Sequence, residues 1–163
     1  MSALCHTSVR DRVLGRYNGW CTVATMECSR LEQHPAYFNG TYDETMALLV
    51  EARNYMTYKA PAARMAVEED KRLMLSCESL RITCRLTQVM AWVLAQRAAL
   101  AGEITSEDLL DDEFELGGTE VCLDTSLGEA EELPEGVRSL LKRTHRLYTR
   151  VRRLDQRMRA EAA

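Results

Sequence analysis

No run of apolar residues in this chain approaches the ~18 needed for a membrane-spanning helix. The opening residues, MSALCHTSVRDRV, have no apolar h-region, so no signal peptide is expected there. A chain that is not exported is expected in the cytosol, where thiols stay reduced. The phosphate-cradling G-x-x-x-x-G-K-[ST], the dinucleotide G-x-G-x-x-G, the zinc-protease H-E-x-x-H and the nucleophile elbow G-x-S-x-G are all absent. With none of these constellations on offer, no catalytic residue is assigned, although absent motifs do not exclude an enzyme. There is no C-x-x-C pair either, although there are six cysteines: Cys5, Cys21, Cys28, Cys77, Cys84 and Cys122. Cys77 and Cys84 lie two turns apart on one helical face, about 10 Å by helix rise and too far to bond to each other. A zinc site from Cys5, His6, Cys21, Cys28 and His34 is conceivable, but its spacings follow no ligand pattern. Small buried hydrophobes are the better reading of the cysteines, and neither metal nor cofactor is expected.

What is present is helical periodicity. The stretch Arg72 to Gly102, RLMLSCESLRITCRLTQVMAWVLAQRAALAG, holds no proline, and its only glycine is the last residue. One stripe is Leu73, Cys77, Leu80, Cys84, Thr87, Ala91, Leu94 and Ala98, and the other is Leu75, Ile82, Leu86, Val89, Val93 and Leu100. Each follows one face of a helix. Two apolar faces predict neighbours on both sides, and Gly102 is the expected left-handed terminator. Thr41-Tyr-Asp-Glu44 has the form of a capping box, Pro61 is the expected stop of the helix that follows it, and residues 61–71 are a connector. From Gly136 a third stripe runs through Val137, Leu140, Leu141, Thr144, Leu147, Tyr148, Val151, Leu154 and Met158. The fold class is therefore all-α, an antiparallel three-helix bundle with a long central helix. Helices are expected at about 41–59, 64–101 and 135–158. Residues 1–40 read as an irregular N-terminal extension, 41–158 as the bundle domain, and 159–163 as a short tail.

Charge is distributed in blocks. From Glu103 to Glu135 there are thirteen acidic residues and no Lys or Arg. Gly117-Gly118, Gly128 and Pro134 mark this segment as loop. Ser106 with Glu107 and Asp108 is a candidate start for a short turn of helix. From Gly136 onward nine Lys or Arg face two acids. That basic face suits either the acidic segment or another molecule. Nucleic acid is the weaker reading of it, because the net charge is −4. Between the two apolar faces of the central stretch lie Met74, Glu78, Arg81, Arg85, Gln88, Trp92 and Gln96. A Trp and two Arg on one strip have the composition of an interface hot spot. Arg81, Arg85, Gln88, Trp92 and Gln96 are therefore the candidate partner-binding residues. The alternative is that the acidic loop or the first helix pairs with the arginines and that Trp92 is core.

Three blocks carry a resemblance: TYDETMALLVEARNYM (41–56), LRITCRLTQVMAWVLAQRAALAGEIT (80–105) and LPEGVRSLLKRTHRLYTRVRRLDQRM (133–158). They resemble the alphaproteobacterial RcdA family, regulators of CtrA degradation. R-L-T-Q-V-M-A-W-x-L-A-Q is the most specific part, and residues 1–36 lie outside the resemblance. The resemblance implies a three-helix bundle that forms a homodimer and acts as a non-enzymatic adaptor. Such an adaptor links the ClpXP protease, through the response regulator CpdR, to clients that include CtrA, with a cyclic-di-GMP-binding co-adaptor. It implies a cytoplasmic protein recruited to the cell pole, with no membrane partner. Family members often carry a tail after the third helix, whereas this sequence runs only about five residues past Met158.

Overall fold

The computed structural model describes residues 33–125 and 133–162. They form helices and turns, with no strand among them. The contacts below lie within the unit that begins at Tyr37. Most of the expected irregular extension, with Cys5, His6, Cys21, Cys28 and the side chain of His34, lies outside the described residues.

The first helix, α1, is Gln33–Asn54 and begins well before Thr41. Pro35 falls in its first turn, where a backbone N–H has no intrahelical acceptor in any case. Thr41 is not a cap: it is buried within the helix, and its carbonyl accepts from Thr45 Oγ1 at 2.6 Å. Phe38, Thr41, Thr45, Leu48 and Ala52 are all buried on one face. Tertiary burial of that face carries the helix through the weak signals at Pro35 and Gly40.

A single π-helical turn, Tyr55–Lys59, follows. It leads into α2, Ala60–Ala66, with Pro61 in the opening turn. Pro61 thus begins a helix instead of ending one. The break comes at Val67, which is extended at φ −95° and ψ 144°, so the expected 64–101 helix is split. The long helix, α3, is Glu69–Leu100. It ends in a Schellman motif: Gly102 has φ 75°, its N–H donates to Ala99 O at 3.0 Å, and Glu103 N donates to Ala98 O at 2.9 Å.

Two short 3₁₀ turns, Asp108–Leu110 and Asp112–Phe114, and the short helix α4, Thr119–Leu123, make up the acidic return segment. Thr105, not Ser106, caps the first turn: Thr105 N donates to Asp108 Oδ2 at 2.9 Å, and Asp108 N donates to Thr105 Oγ1 at 3.1 Å. The last helix, α5, is Glu135–Ala162 and takes in most of the expected tail.

The side-chain pairings give the direction of each helix. Arg85 of α3 reaches Leu141 near the start of α5, and Trp92 reaches Asp155 further along. Arg159, near the end of α5, reaches the carbonyls of Leu109, Leu110 and Asp111 just past the end of α3. α3 and α5 therefore run the same way. Against α1 the order reverses, Glu44 pairing with Arg150 and Glu51 with Arg143. The expected antiparallel order fails for α3 and α5, because the acidic segment returns along the helices before α5 begins. The core between these elements is built from Leu75, Ile82, Leu86, Val89 and Val93 of α3 and Val137, Leu140, Leu147, Tyr148 and Val151 of α5, with Phe38 and Leu48 of α1 and Leu116 and Cys122 of the return segment.

Candidate interaction surfaces

The polar strip of α3 faces inward. Arg81 is only 8 % exposed, Arg85 2 %, Trp92 2 % and Gln96 5 %. The expectation that they form one partner-facing strip is corrected: the acidic segment covers Arg81 and Arg85, and Trp92 is turned toward α1 and α5. Arg81 Nη1 pairs with Glu78, one turn earlier, and its Nη2 donates to Asp124 Oδ2 at 2.8 Å. Arg85 donates to three carbonyls: Nε to Cys122 at 2.7 Å, Nη2 to Asp124 at 2.9 Å and Nη1 to Leu141 at 3.2 Å. One guanidinium thus joins α3, the return segment and α5. Burial, and after it the neighbouring Arg81, lowers the Arg85 pKa from its ordinary value. Desolvating a cation is costly, and three carbonyl acceptors plus the nearby Glu78 and Asp124 offset that cost.

Trp92 has a similar task further along. Its indole Nε1 donates to Asp155 Oδ1 at 2.8 Å, and the ring packs edge-on against Phe38 with centroids 5.7 Å apart. Asp155 also accepts from Leu116 N and Arg159 Nε, both at 3.4 Å. Tyr148 OH donates to Gly117 O at 2.8 Å. The return segment is therefore held largely by side chains of α3 and α5 that bond to its backbone. Gln88 alone of the five candidates is not buried. It lines a groove of about 420 Å³ with Ala91, Leu94, Ile104 and Phe114.

The basic face of α5 is engaged from the other side. Arg143 makes a two-pronged bond to Glu51 at 2.6 and 2.7 Å, which raises its pKa, and Arg150 pairs with Glu44. The glutamates of α1, not the acidic segment, are thus the partners of these two arginines. Among the described residues no group of three His, Cys, Asp or Glu is placed to hold a metal ion. No described helix is long and apolar enough to cross a membrane.

With the polar strip turned inward, the first apolar stripe of α3 turns outward. Leu73 is 71 % and Leu80 70 % exposed; Leu94 is 48 % exposed, and Cys77, Thr87 and Ala91 are exposed between them. Both stripes have helical spacing, so periodicity alone cannot choose which one is buried. The larger β-branched residues, Ile82, Val89 and Val93, mark the inner face. Sequence reasoning also missed Asp155. The signal was its place on the buried stripe of α5, four residues after Val151 and among arginines.

A family described as "Protein of unknown function (DUF1465)" matches residues 30–163. The crystal structure of RcdA from Caulobacter crescentus CB15 is similar to the chain at 35% sequence identity and a TM-score of 0.60. That similarity covers 74% of this chain and 89% of that one. The chain belongs to the RcdA family. No curated protein matches it. The outward stripe of α3 and the groove beside Gln88 are two exposed apolar surfaces among the described residues, with Tyr58 and Met65 exposed elsewhere.

Proposed function

We propose that this chain is a non-enzymatic adaptor for regulated proteolysis. It tethers clients such as CtrA to the ClpXP protease together with the response regulator CpdR, with a cyclic-di-GMP-binding protein as co-adaptor, in the cytoplasm and at the cell pole. The observation that carries this reading is the kinship with RcdA over most of that protein's length. Physically, an adaptor needs two separate contact surfaces on one rigid body: two weak contacts on one body raise the client's effective concentration at the protease. Partner contact is assigned to the groove beside Gln88, with Trp92 lining it and Arg81 and Arg85 holding the segment that flanks it, while Gln96 is buried nearby on the same helix. The homodimer is assigned to the outward stripe of α3. It lies at the stretch Leu73, Cys77 and Leu80, exposed at steps of four and three and clear of the groove, a seam suited to a second helix of the same kind.

Binding of nucleic acid through α5 is the less favoured reading, because Arg143 and Arg150 are already paired with Glu51 and Glu44. The deciding experiment is a reconstituted degradation assay with ClpXP, CpdR and client. Addition of this chain should accelerate loss of the client. No acceleration, together with no binding to CpdR, ClpX or client, would reject the adaptor reading.

A further inference from the structure

Cys84 on α3 and Cys122 on α4 have their sulfurs 3.6 Å apart. The two thiols come from segments joined only through the acidic return. Cys122 is fully buried, while Cys84 is partly exposed. Gly118 lies against both, and a side chain there would place its Cβ 3.3 Å from Cys122 Sγ and 3.6 Å from Cys84 Sγ. A disulfide needs the sulfurs at about 2.05 Å, so they must close by roughly 1.5 Å. The short helix α4, Thr119–Leu123, is the smaller of the two elements to move.

We propose that Cys84 and Cys122 form an oxidisable thiol pair that hydroperoxide closes to a disulfide, fastening the acidic return segment to α3. The Cys84 sulfur attacks a peroxide oxygen: an S–O bond forms, the O–O bond breaks, and water leaves a sulfenic acid on Cys84. The Cys122 sulfur then attacks Cys84: the S–S bond forms, the S–O bond breaks, and hydroxide leaves as water with the Cys122 proton. Two thiols lose two electrons and two protons, and hydrogen peroxide becomes two waters. A dithiol reductant reverses the step by exchange. Burial, with the hydrogen bond to Cys84 next, pushes the Cys122 thiol up to about 12, which makes Cys84 the sulfur oxidised first. Arg85 donates to the Cys122 carbonyl, and Arg81 pairs with Asp124 two residues on. The covalent link therefore fixes the same segment that those arginines hold non-covalently.

The test uses the full chain with Cys5, Cys21, Cys28 and Cys77 changed to serine. Hydrogen peroxide should remove both remaining thiols, with an intramolecular Cys84–Cys122 peptide by mass spectrometry and recovery in dithiothreitol. Adding Cys122→Ser should leave a sulfenic acid that dimedone traps at Cys84. Adding Cys84→Ser should leave Cys122 unlabelled. Amide exchange over residues 119–124 should slow several-fold in the oxidised chain. Surviving thiols, or links only between molecules, overturn the proposal. The same peptide mapping on the unsubstituted chain decides the matter if the multiple variant does not fold: a map without the Cys84–Cys122 peptide overturns it.

Discussion

The indole of Trp92 and the carboxylate of Asp155 bond at 2.8 Å, fastening the later part of α3 to the later part of α5. Asp155 serves three donors at once. Changing Asp155 to alanine strands a buried indole N–H and a backbone N–H. It should cost about 3 kcal/mol in urea unfolding. Asp155→Asn keeps a carbonyl for Trp92 and should cost clearly less. Equal losses for the two variants would show that the carboxylate's acceptor role is not what matters.

Arg81 and Arg85 lead to the opposite expectation from exposed arginines. Arg81→Glu with Arg85→Glu places two carboxylates beside buried Glu78 and leaves the carbonyls of Cys122, Asp124 and Leu141 without their donor. The melting midpoint should fall by about 10 °C or more. A variant that melts normally but no longer binds its partner would instead return these residues to the contact surface.

His145 gives the acid dependence. Burial, and after it Arg85, holds its pKa below the ordinary 6.5, against a hydrogen bond to the Cys122 backbone that pulls the other way. With the folded value depressed, the imidazole's contribution is complete above pH 6.5. As pH falls the unfolded chain takes the proton first, and the contribution is lost down to the folded pKa. His145→Gln should therefore narrow the difference in stability between neutral and mildly acidic buffer. Parallel pH profiles of the two proteins would remove His145 as the cause.

The outward stripe of α3 provides a test of association. Leu73→Glu with Leu80→Glu alters strongly exposed positions, so monomer stability should change by no more than about 0.5 kcal/mol per site. Sedimentation should show a dimer for the parent chain and a monomer for the variant. A variant that stays dimeric moves the interface elsewhere.

The inner stripe of α3 and the stripe of α5 were legible because burial repeats every three or four residues, and they are reproduced from Leu75 to Val93 and from Val137 to Val151. The left-handed Gly102 was legible too, since few residues adopt that backbone. Helix starts were not. Thr41-x-x-Glu44 satisfies a local capping rule, yet Phe38 and Thr41 are buried along the same helix, and packing outweighs the local signal. The inward turn of Arg81 and Arg85 was open in the sequence, which placed an acidic segment within reach without saying where it lies. Asp124 and Asp155 settle that question, and neither stands out from its neighbours by type. The parallel course of α3 and α5 left no periodic mark, because stripe spacing carries no sense of direction.

That parallel course also sets an order in time. α1 runs through the π turn into α2, and only Val67 and Glu68 separate α2 from α3, so these helices close over short separations along the chain. α5 must wait until the return segment has travelled back along α3, a longer closure with a larger entropic cost. In refolding, the α1–α3 hairpin should form first and α5 should lock on afterwards. Trp92 belongs to the first event and its acceptor Asp155 to the second, so the indole is the natural clock hand for the final docking.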